Sequence, residues 1–391
     1  MKDYKRTLMA CYLGFITQAI VANLVPLLFV IFHSDYGISL AKIALIPTVF
    51  FFTQLLVDLF CARFVDIIGY RRSVVASEVL AALGLILLAV LPELLPDAFT
   101  GILICVFLYA IGSGLIEVLV SPIVEACPFD NKESVMSLLH SFYCWGCVGV
   151  ILISTVLLRI FGNENWKWVA CIWAVIPIVN IYNFLTCPIE HLTDEGEGYS
   201  MGKLFTLPTF WICIVLMICA GASELAMAQW SSAYVEATLG FTKTVGDIVG
   251  PCLFAVTMGL CRVLYGKFGE KINLIGFMIA SGVLCVICYI LVSFSEKPII
   301  GLIGCIVCGA SVGIMWPGTI SITSKRIPLG GTAMFALLAM AGDLGGSIGP
   351  AIVGVVSQAA GDNLHAGMMV GMIFPMVLIV AIILLSRMRT G

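Results

Sequence analysis

Four polar residues recur every four positions inside one of the most apolar stretches of the chain: Ser113, Glu117, Ser121 and Glu125. This spacing predicts that they share one face of a helix. The apolar run begins near Gly101, so Glu117 lies only about 6 Å from its midpoint at the helical rise of ~1.5 Å per residue. A carboxylate there requires water, a partner or a proton. Glu117 is therefore a candidate proton-binding residue.

Two further carboxylates, Glu224 and Asp343, interrupt other apolar runs, and neither has a cation in its own run. Amide, imidazole and flat aromatic groups in such runs suit a sugar, because they bind hydroxyl groups and cover the C–H face of a ring. These candidates are Asn23, His140, Tyr143, Trp145, Gln229, Trp230 and Trp316, with Gln18, Asn180 and Asn183 as weaker ones. Glu78 and Asp58 are interpreted as latch or supporting residues near helix ends.

The composition identifies the class of protein that must position these groups. The chain has 391 residues, of which 61% are hydrophobic and 11% charged, whereas soluble domains carry about 25% charged residues. It therefore predicts a multi-pass protein of the lipid bilayer. Twelve apolar runs are long enough to span it: about 8–32, 40–62, 73–92, 100–126, 134–160, 166–187, 208–235, 245–266, 272–294, 298–322, 330–358 and 365–386.

The other composition signals mainly exclude functions. Sixteen cysteines lie almost entirely within apolar runs, where small packing residues are a better interpretation than metal ligands. We expect no cofactor and no metal. No basic stripe indicates nucleic acid, and no phosphate-binding loop indicates an ATP-driven pump.

The distribution of Lys and Arg predicts the orientation. Fifteen of the twenty basic residues fall on the side of the two termini and five on the other, which indicates cytoplasmic termini. The longest polar interval, 188–206, is predicted to be a flexible cytoplasmic linker. It separates an N-terminal six-helix bundle, 1–187, from a C-terminal one, 207–391.

The two halves contain similar segments. Residues 138–149 align with 338–349, and the Gly114–Pro122 spacing reappears as Gly309–Pro317. Internal repeats of this kind are typical of transporters whose site lies at the repeat interface near the bilayer midplane. A glycine pair before Pro350, at Gly345 and Gly349, is interpreted as a helix-packing motif.

A cytoplasmic segment between the second and third spans resembles the loop signature of the major facilitator superfamily. Asp66, Gly69, Arg71 and Arg72 match it, while Ala62 replaces a Gly of the pattern. The resemblance implies an all-α membrane protein with twelve helices in two pseudo-symmetric six-helix bundles. It also implies that the four matching residues form a gating latch. A copy in the second half, Arg262 to Lys271, lacks the Asp.

The fourth span, Gly112 to Pro122, is similar to that of the L-fucose/proton symporter branch, although Ser121 replaces an Asn. This resemblance implies proton coupling through Glu117. The branch also has an Asp in the first span, where this chain has Asn23. The embedded Arg of the drug-antiporter branch is missing, because no Arg occurs from 73 to 158.

We therefore predict a secondary transporter of the bacterial inner membrane, monomeric and without enzymatic activity. It would carry a small polar solute, a sugar or sugar derivative, together with protons. Glu117 is the first candidate for proton coupling, followed by Glu224 and Asp343; all three are also candidate solute ligands. The alternatives are a drug or metabolite/proton antiporter and a non-transporting nutrient receptor.

Overall fold

The computed structural model describes residues 3–192, 198–239, 248–295, 297–361 and 363–388. Within these ranges the protein is helical and contains no strand, which confirms the all-α prediction. The twelve main helices are α1 (Tyr4–Leu27), α2 (Leu40–Ile68), α3 (Tyr70–Leu88), α4 (Ala98–Ala126), α5 (Lys132–Phe161), α6 (Trp166–Thr186), α7 (Pro208–Leu239), α8 (Leu253–Phe268), α9 (Leu274–Phe294), α10 (Pro298–Val312 and Met315–Arg326), α11 (Gly331–Ala359) and α12 (Leu364–Gly371 and Ile373–Arg387).

Shorter helices cover Phe29–Tyr36, Leu91–Leu94 and Met201–Phe205. The start of the predicted eighth span at 245 lies outside the described residues, as does the acidic part of the predicted linker, 193–197. The same holds for three basic residues used to predict orientation, Lys2, Lys243 and Arg389.

Eleven helices among the described residues are long and apolar enough to cross a membrane. The twelfth main helix, α3, is the exception because its 19 residues include Arg71, Arg72 and Glu78. The structure thus confirms the predicted number of twelve helices.

The predicted loop between the second and third spans is almost entirely helical. Helix α2 continues to Ile68, six residues beyond the predicted end, and α3 begins at Tyr70. Gly69 alone forms the junction, with φ of 93°, a conformation that side-chain-bearing residues rarely adopt. The glycine of the signature therefore permits a one-residue turn between two long helices.

The chain forms two compact units. Unit 1 contains Met1–Pro128, Trp145–Gly198 and Gly331–Ala336, and unit 2 contains Phe129–Cys144, Tyr199–Gly330 and Leu337–Gly391. Helix α5 therefore contributes its first part to unit 2 and its second part to unit 1, and α11 contributes to both in the opposite order. The boundaries 1–187, 188–206 and 207–391 stay a prediction made from chain order.

Helix α4 is the most deeply packed helix of unit 1. Asp97 caps its start by accepting hydrogen bonds from the Thr100 backbone and hydroxyl, and these bonds hold the pKa of Asp97 below its usual value. A Cβ at Gly112 would lie 2.5 Å from the Ser77 carbonyl oxygen. Because Gly112 has no side chain, the backbones of α3 and α4 can touch there.

In unit 2 the glycines of α11 serve the same purpose. A Cβ at Gly345 would lie 2.0 Å from the carbonyl oxygen of Ile218, and one at Gly349 would lie 2.6 Å from that of Ala222. Both distances are shorter than a Cβ tolerates, so α7 and α11 pack backbone to backbone. The prediction that this glycine pair serves helix packing is confirmed.

Candidate functional site

Glu117 lies at the meeting point of three helices in unit 1. Its Oε2 accepts one hydrogen bond from the Gln18 amide of α1 and one from the Gln54 amide of α2, both at 2.7 Å. Gln18 and Gln54 are 7% and 3% exposed. The carboxylate of Glu117 is therefore held by two buried, uncharged donors.

The local sequence of α4 explains how Gln54 reaches this carboxylate. Gly114 precedes Glu117 by three residues, and a Cβ there would be 3.0 Å from the Val57 side chain and 3.4 Å from the Gln54 Cα. The glycine thus allows α2 to approach α4 closely. The other residues of the polar face predicted around Glu117 are buried, since Ser113, Ser121 and Glu125 are 0%, 2% and 8% exposed, while Glu117 itself is half-buried.

Asn23, which replaces the Asp of the similar branch, is directed toward α5. Its amide nitrogen donates to the Ala19 carbonyl at 2.9 Å and contacts the Cys147 sulfur at 3.2 Å. Helices α1 and α5 approach closely here, since a Cβ at Gly146 would lie 2.7 Å from the Ala19 Cβ. Trp145 is half-buried on the same part of α5.

Glu78 lies within α3 and Asp58 within α2, and a latch or supporting role for them stays a prediction. Both are 0% exposed. Glu78 accepts a hydrogen bond from the Thr17 hydroxyl of α1 at 2.9 Å and another from the Asn180 amide of α6 at 2.8 Å. It therefore belongs to a second polar cluster inside unit 1.

In unit 2 the carboxylate of Glu224 pairs with a cation. The Arg262 Nη2 lies 3.3 Å from the Glu224 Oε2, and the Arg262 side chain is 3% exposed. Arg262 was counted in the sequence among the basic residues at the helix ends, but it is buried within α8. Glu224 has no cation on its own helix, and a neighbouring helix supplies one.

Arg262 also binds the backbone at the break in α10. Its Nε donates to the Gly313 carbonyl at 2.8 Å. In a regular helix this carbonyl would accept from the backbone of residue 317, but Pro317 has no N–H. Nη1 of Arg262 further contacts the His140 carbonyl at 3.0 Å and the Cys144 sulfur at 3.1 Å. Arg262 thus connects α5, α7 and α10.

Asp343 differs from Glu224, because its Oδ2 has no hydrogen-bond partner among the described residues. The side chain is 9% exposed. The Trp316 ring packs against the neighbouring Gly342, where a Cβ would lie only 2.2 Å from it. Asp343 is therefore a buried carboxyl group that follows directly on the glycine packed against Trp316.

The remaining candidates have mixed surroundings. The Trp230 Nε1 donates to the Pro350 carbonyl at 3.0 Å, so that ring is fixed by packing between α7 and α11. His140 is buried, Tyr143 is half-buried and Gln229 is exposed. Among the described residues, unit 1 contains Asn23, Glu117 and Trp145, and unit 2 contains His140, Tyr143, Glu224, Gln229, Trp230, Trp316 and Asp343.

The four signature residues have three different environments in unit 1. Asp66 accepts a hydrogen bond at 2.5 Å from the hydroxyl of Thr332, which also bonds the Tyr70 hydroxyl. Arg71 donates to three carbonyls at the C-terminal end of α6, those of Phe184, Leu185 and Cys187. Arg72 is exposed, and Gly69 forms the turn. A latch role for these residues stays a prediction.

Sequence reasoning missed two residues of these clusters. Gln54 and Arg262 were not site candidates, although each is a strongly polar side chain within an apolar run. A strongly polar side chain in such a run is the signal that could have identified them.

Comparison with known proteins agrees with this architecture. The sequence profile of the Major Facilitator Superfamily matches residues 10–350. No curated protein sequence matches the chain.

Three solved structures illustrate how widely the fold is shared. The E. coli fucose:proton symporter FucP is 15% identical with a TM-score of 0.79, over 99% of this chain and 100% of its own. The proton:xylose symporter XylE is 13% identical with a TM-score of 0.84, over 98% and 95%. The human organic anion transporter MFSD10 is 14% identical with a TM-score of 0.75, over 98% and 100%. The chain belongs to the Major Facilitator Superfamily, a family of membrane transporters.

Proposed function

We propose that this transporter moves a small polar solute, of the sugar class, together with protons, and that Glu117 carries the coupling proton. The observation that supports this most directly is the pair of amides bound to the Glu117 carboxylate, from Gln18 and Gln54 at 2.7 Å each. Two buried amides stabilise the carboxylate, but because they are neutral they do not hold Glu117 in its ionised form as a buried cation would.

The chemistry of an amide explains why this suits a proton carrier. An amide has donors on nitrogen and an acceptor on oxygen, and rotation exchanges the two. Gln18 or Gln54 can therefore donate to the Glu117 carboxylate and, after rotating, accept from the protonated acid. Both protonation states of Glu117 can therefore be hydrogen bonded by the same two amides.

The solute class rests on chemistry and on fold relatives together. Carboxylates and amides bind sugar hydroxyl groups, and indole rings cover the apolar face of a sugar ring. Glu117 and Asn23 provide such polar groups in unit 1, and in unit 2 Asp343 follows Gly342, against which the Trp316 ring packs. Two of the similar structures are sugar/proton symporters.

The deciding experiment uses Glu117→Gln in proteoliposomes. This variant is permanently neutral, so solute binding and counterflow exchange should survive, because neither needs net proton movement. Accumulation driven by an imposed proton gradient should disappear. Glu93→Gln, which removes an exposed carboxylate that pairs with Lys167, is the matched control and should accumulate solute like the wild type.

Two outcomes would redirect the proposal. Gradient-driven accumulation by Glu117→Gln would mean that another acid carries the proton, and Asp343 is then the next residue to test. If solute leaves the vesicles while protons enter them, the protein is an antiporter and the symporter proposal is wrong.

The proposed orientation places both termini and the linker 188–206 in the cytoplasm of a bacterial cell. Reporter fusions at Gly196 and Gly391, which lie outside the described residues, should both report a cytoplasmic location. A periplasmic signal from either fusion would contradict the count of twelve membrane crossings.

A further inference from the structure

Glu78 of α3 is a fully enclosed carboxyl group of unit 1, and the transport mechanism above does not use it. Its side chain is 0% exposed. Its two oxygens have different partners: the Thr17 hydroxyl of α1 bonds Oε2, and the Asn180 amide of α6 bonds Oε1. Both partners are uncharged.

The surroundings of Glu78 contain no compensating charge among the residues that the structure describes. The other titratable group that faces it is the Cys11 thiol of α1, which is neutral when protonated. Among the described residues of α4 and α6, no charged side chain faces Glu78. A carboxylate buried in this way is costly, so the site favours the bound proton over the bare charge.

The hydrogen-bond pattern indicates a proton rather than a metal cation. The Asn180 nitrogen donates both to Glu78 and, at 3.0 Å, to the Ala10 carbonyl. The Asn180 oxygen meanwhile accepts from Asn183 at 3.2 Å. Asn180 therefore presents a donor to Glu78, whereas a sodium or magnesium ion would require oxygen ligands.

Thr17 suits both protonation states of Glu78. A threonine hydroxyl has one donor and two acceptor positions, and its hydrogen rotates to suit. Thr17 donates when Glu78 is a carboxylate and accepts when the Glu78 Oε2 carries a proton. Protonation thus reverses one hydrogen bond without requiring any heavy atom to move.

We propose that Glu78 is a second proton-binding site and that α1 couples it to Glu117. The coupling follows from adjacent residues, because Thr17 contacts Glu78 and Gln18 donates to Glu117. A displacement of α1 that breaks one contact therefore disturbs the other. This inference deepens the proposed function and rests on it for the role of Glu117, while proton binding by Glu78 stands independently.

The test is infrared difference spectroscopy of the purified full chain in lipid, titrated across neutral pH. A protonated, buried carboxyl group has a C=O stretch distinct from that of a carboxylate. Wild-type protein should show this band, and Glu78→Gln should lose the intensity of one carboxyl group. Glu117→Gln should keep the Glu78 band but shift the pH midpoint at which it disappears. Thr17→Val, which cannot hydrogen bond, should change the frequency of the band.

The controls separate the two parts of the proposal. Glu93→Gln removes an exposed carboxylate of the same unit and should leave the spectrum unchanged. Cys11→Ala should retain the carboxyl band, because the thiol has no C=O group. A Glu78→Gln spectrum identical to wild type would overturn proton binding at Glu78. An unshifted midpoint in Glu117→Gln would overturn the coupling alone, even if transport assays confirm Glu117 as the proton carrier.

Discussion

The two units hold their buried glutamates in chemically different ways. In unit 1 the amides of Gln18 and Gln54 bond the Glu117 carboxylate. In unit 2 the guanidinium of Arg262 pairs with Glu224. An amide stays neutral whatever happens to the acid, whereas protonation of Glu224 would leave Arg262 buried and unpaired. This difference supports the proposal that Glu117 exchanges a proton, and we expect the Glu224–Arg262 pair to remain ionised.

Unit 2 also contains a second carboxyl group within an apolar helix, that of Asp343. Asp343 is buried, and its Oδ2 lacks a partner among the described residues. The contrast is therefore between the cation-paired carboxylate of Glu224 and the carboxyl groups of Glu117 and Asp343, rather than between the two units. Asp343, rather than Glu224, is the acid of unit 2 that we would expect to accept a proton.

The largest effect should come from breaking the ion pair of unit 2. Arg262→Met leaves Glu224 charged and also leaves the Gly313 carbonyl without its donor, so we expect a loss of about 3–5 kcal/mol in stability. Thermal unfolding of the purified protein measures it. The double variant Arg262→Met/Glu224→Gln should recover much of the loss. Equal instability of the single and double variants would contradict the pairing.

Removing one amide from unit 1 should cost less. Gln54→Leu deletes one hydrogen bond to a charged group, which is worth about 1.5–3 kcal/mol, and Gln18→Leu should behave similarly because both bonds are 2.7 Å long. Thr53→Val is a matched control, since the Thr53 hydroxyl donates within its own helix to the Val49 carbonyl. Unfolding curves that do not distinguish Gln54→Leu from Thr53→Val would argue against the Glu117 cluster.

The signature segment offers a smaller effect. Asp66→Asn keeps the shape of the side chain but weakens the hydrogen bond from Thr332. We therefore expect the free energy of unfolding to fall by about 1 kcal/mol. If the latch is specific to one transport state, turnover should fall a few-fold while solute affinity stays close to the wild-type value. Arg63→Gln removes an exposed charge three residues earlier and serves as control. An altered affinity with normal turnover would argue against gating.

The smallest change in stability should follow Asp343→Asn. This variant replaces an oxygen that has no hydrogen-bond partner within the described part of the chain, so unfolding should shift by less than about 1 kcal/mol, in contrast to the effect at Arg262. Thermal unfolding side by side with Arg262→Met tests this directly. A loss as large as that of Arg262→Met would show that Asp343 has a structural partner.

The sequence alone identified the class, the number of helices and the position of Glu117. These follow from local signals: apolar runs long enough to span a bilayer, and a carboxylate near the middle of one of them. The signature around Asp66 and Gly69 identified the family for the same reason, because its residues are close together in the chain. The packing role of Gly345 and Gly349 was also readable from their spacing.

Only the tertiary structure decided which partner each buried group receives. Gln54 reaches Glu117 from another helix because Gly114 lets α2 approach α4. Arg262 was assigned to a helix end, yet it pairs with Glu224 and completes the hydrogen bonding of Gly313 at the break in α10. Hydropathy is a local property and can show only that a polar group lies in an apolar helix. These contacts join residues that are far apart in the chain, so hydropathy does not predict them. Helix packing then determines whether it meets an amide, a cation or no partner at all.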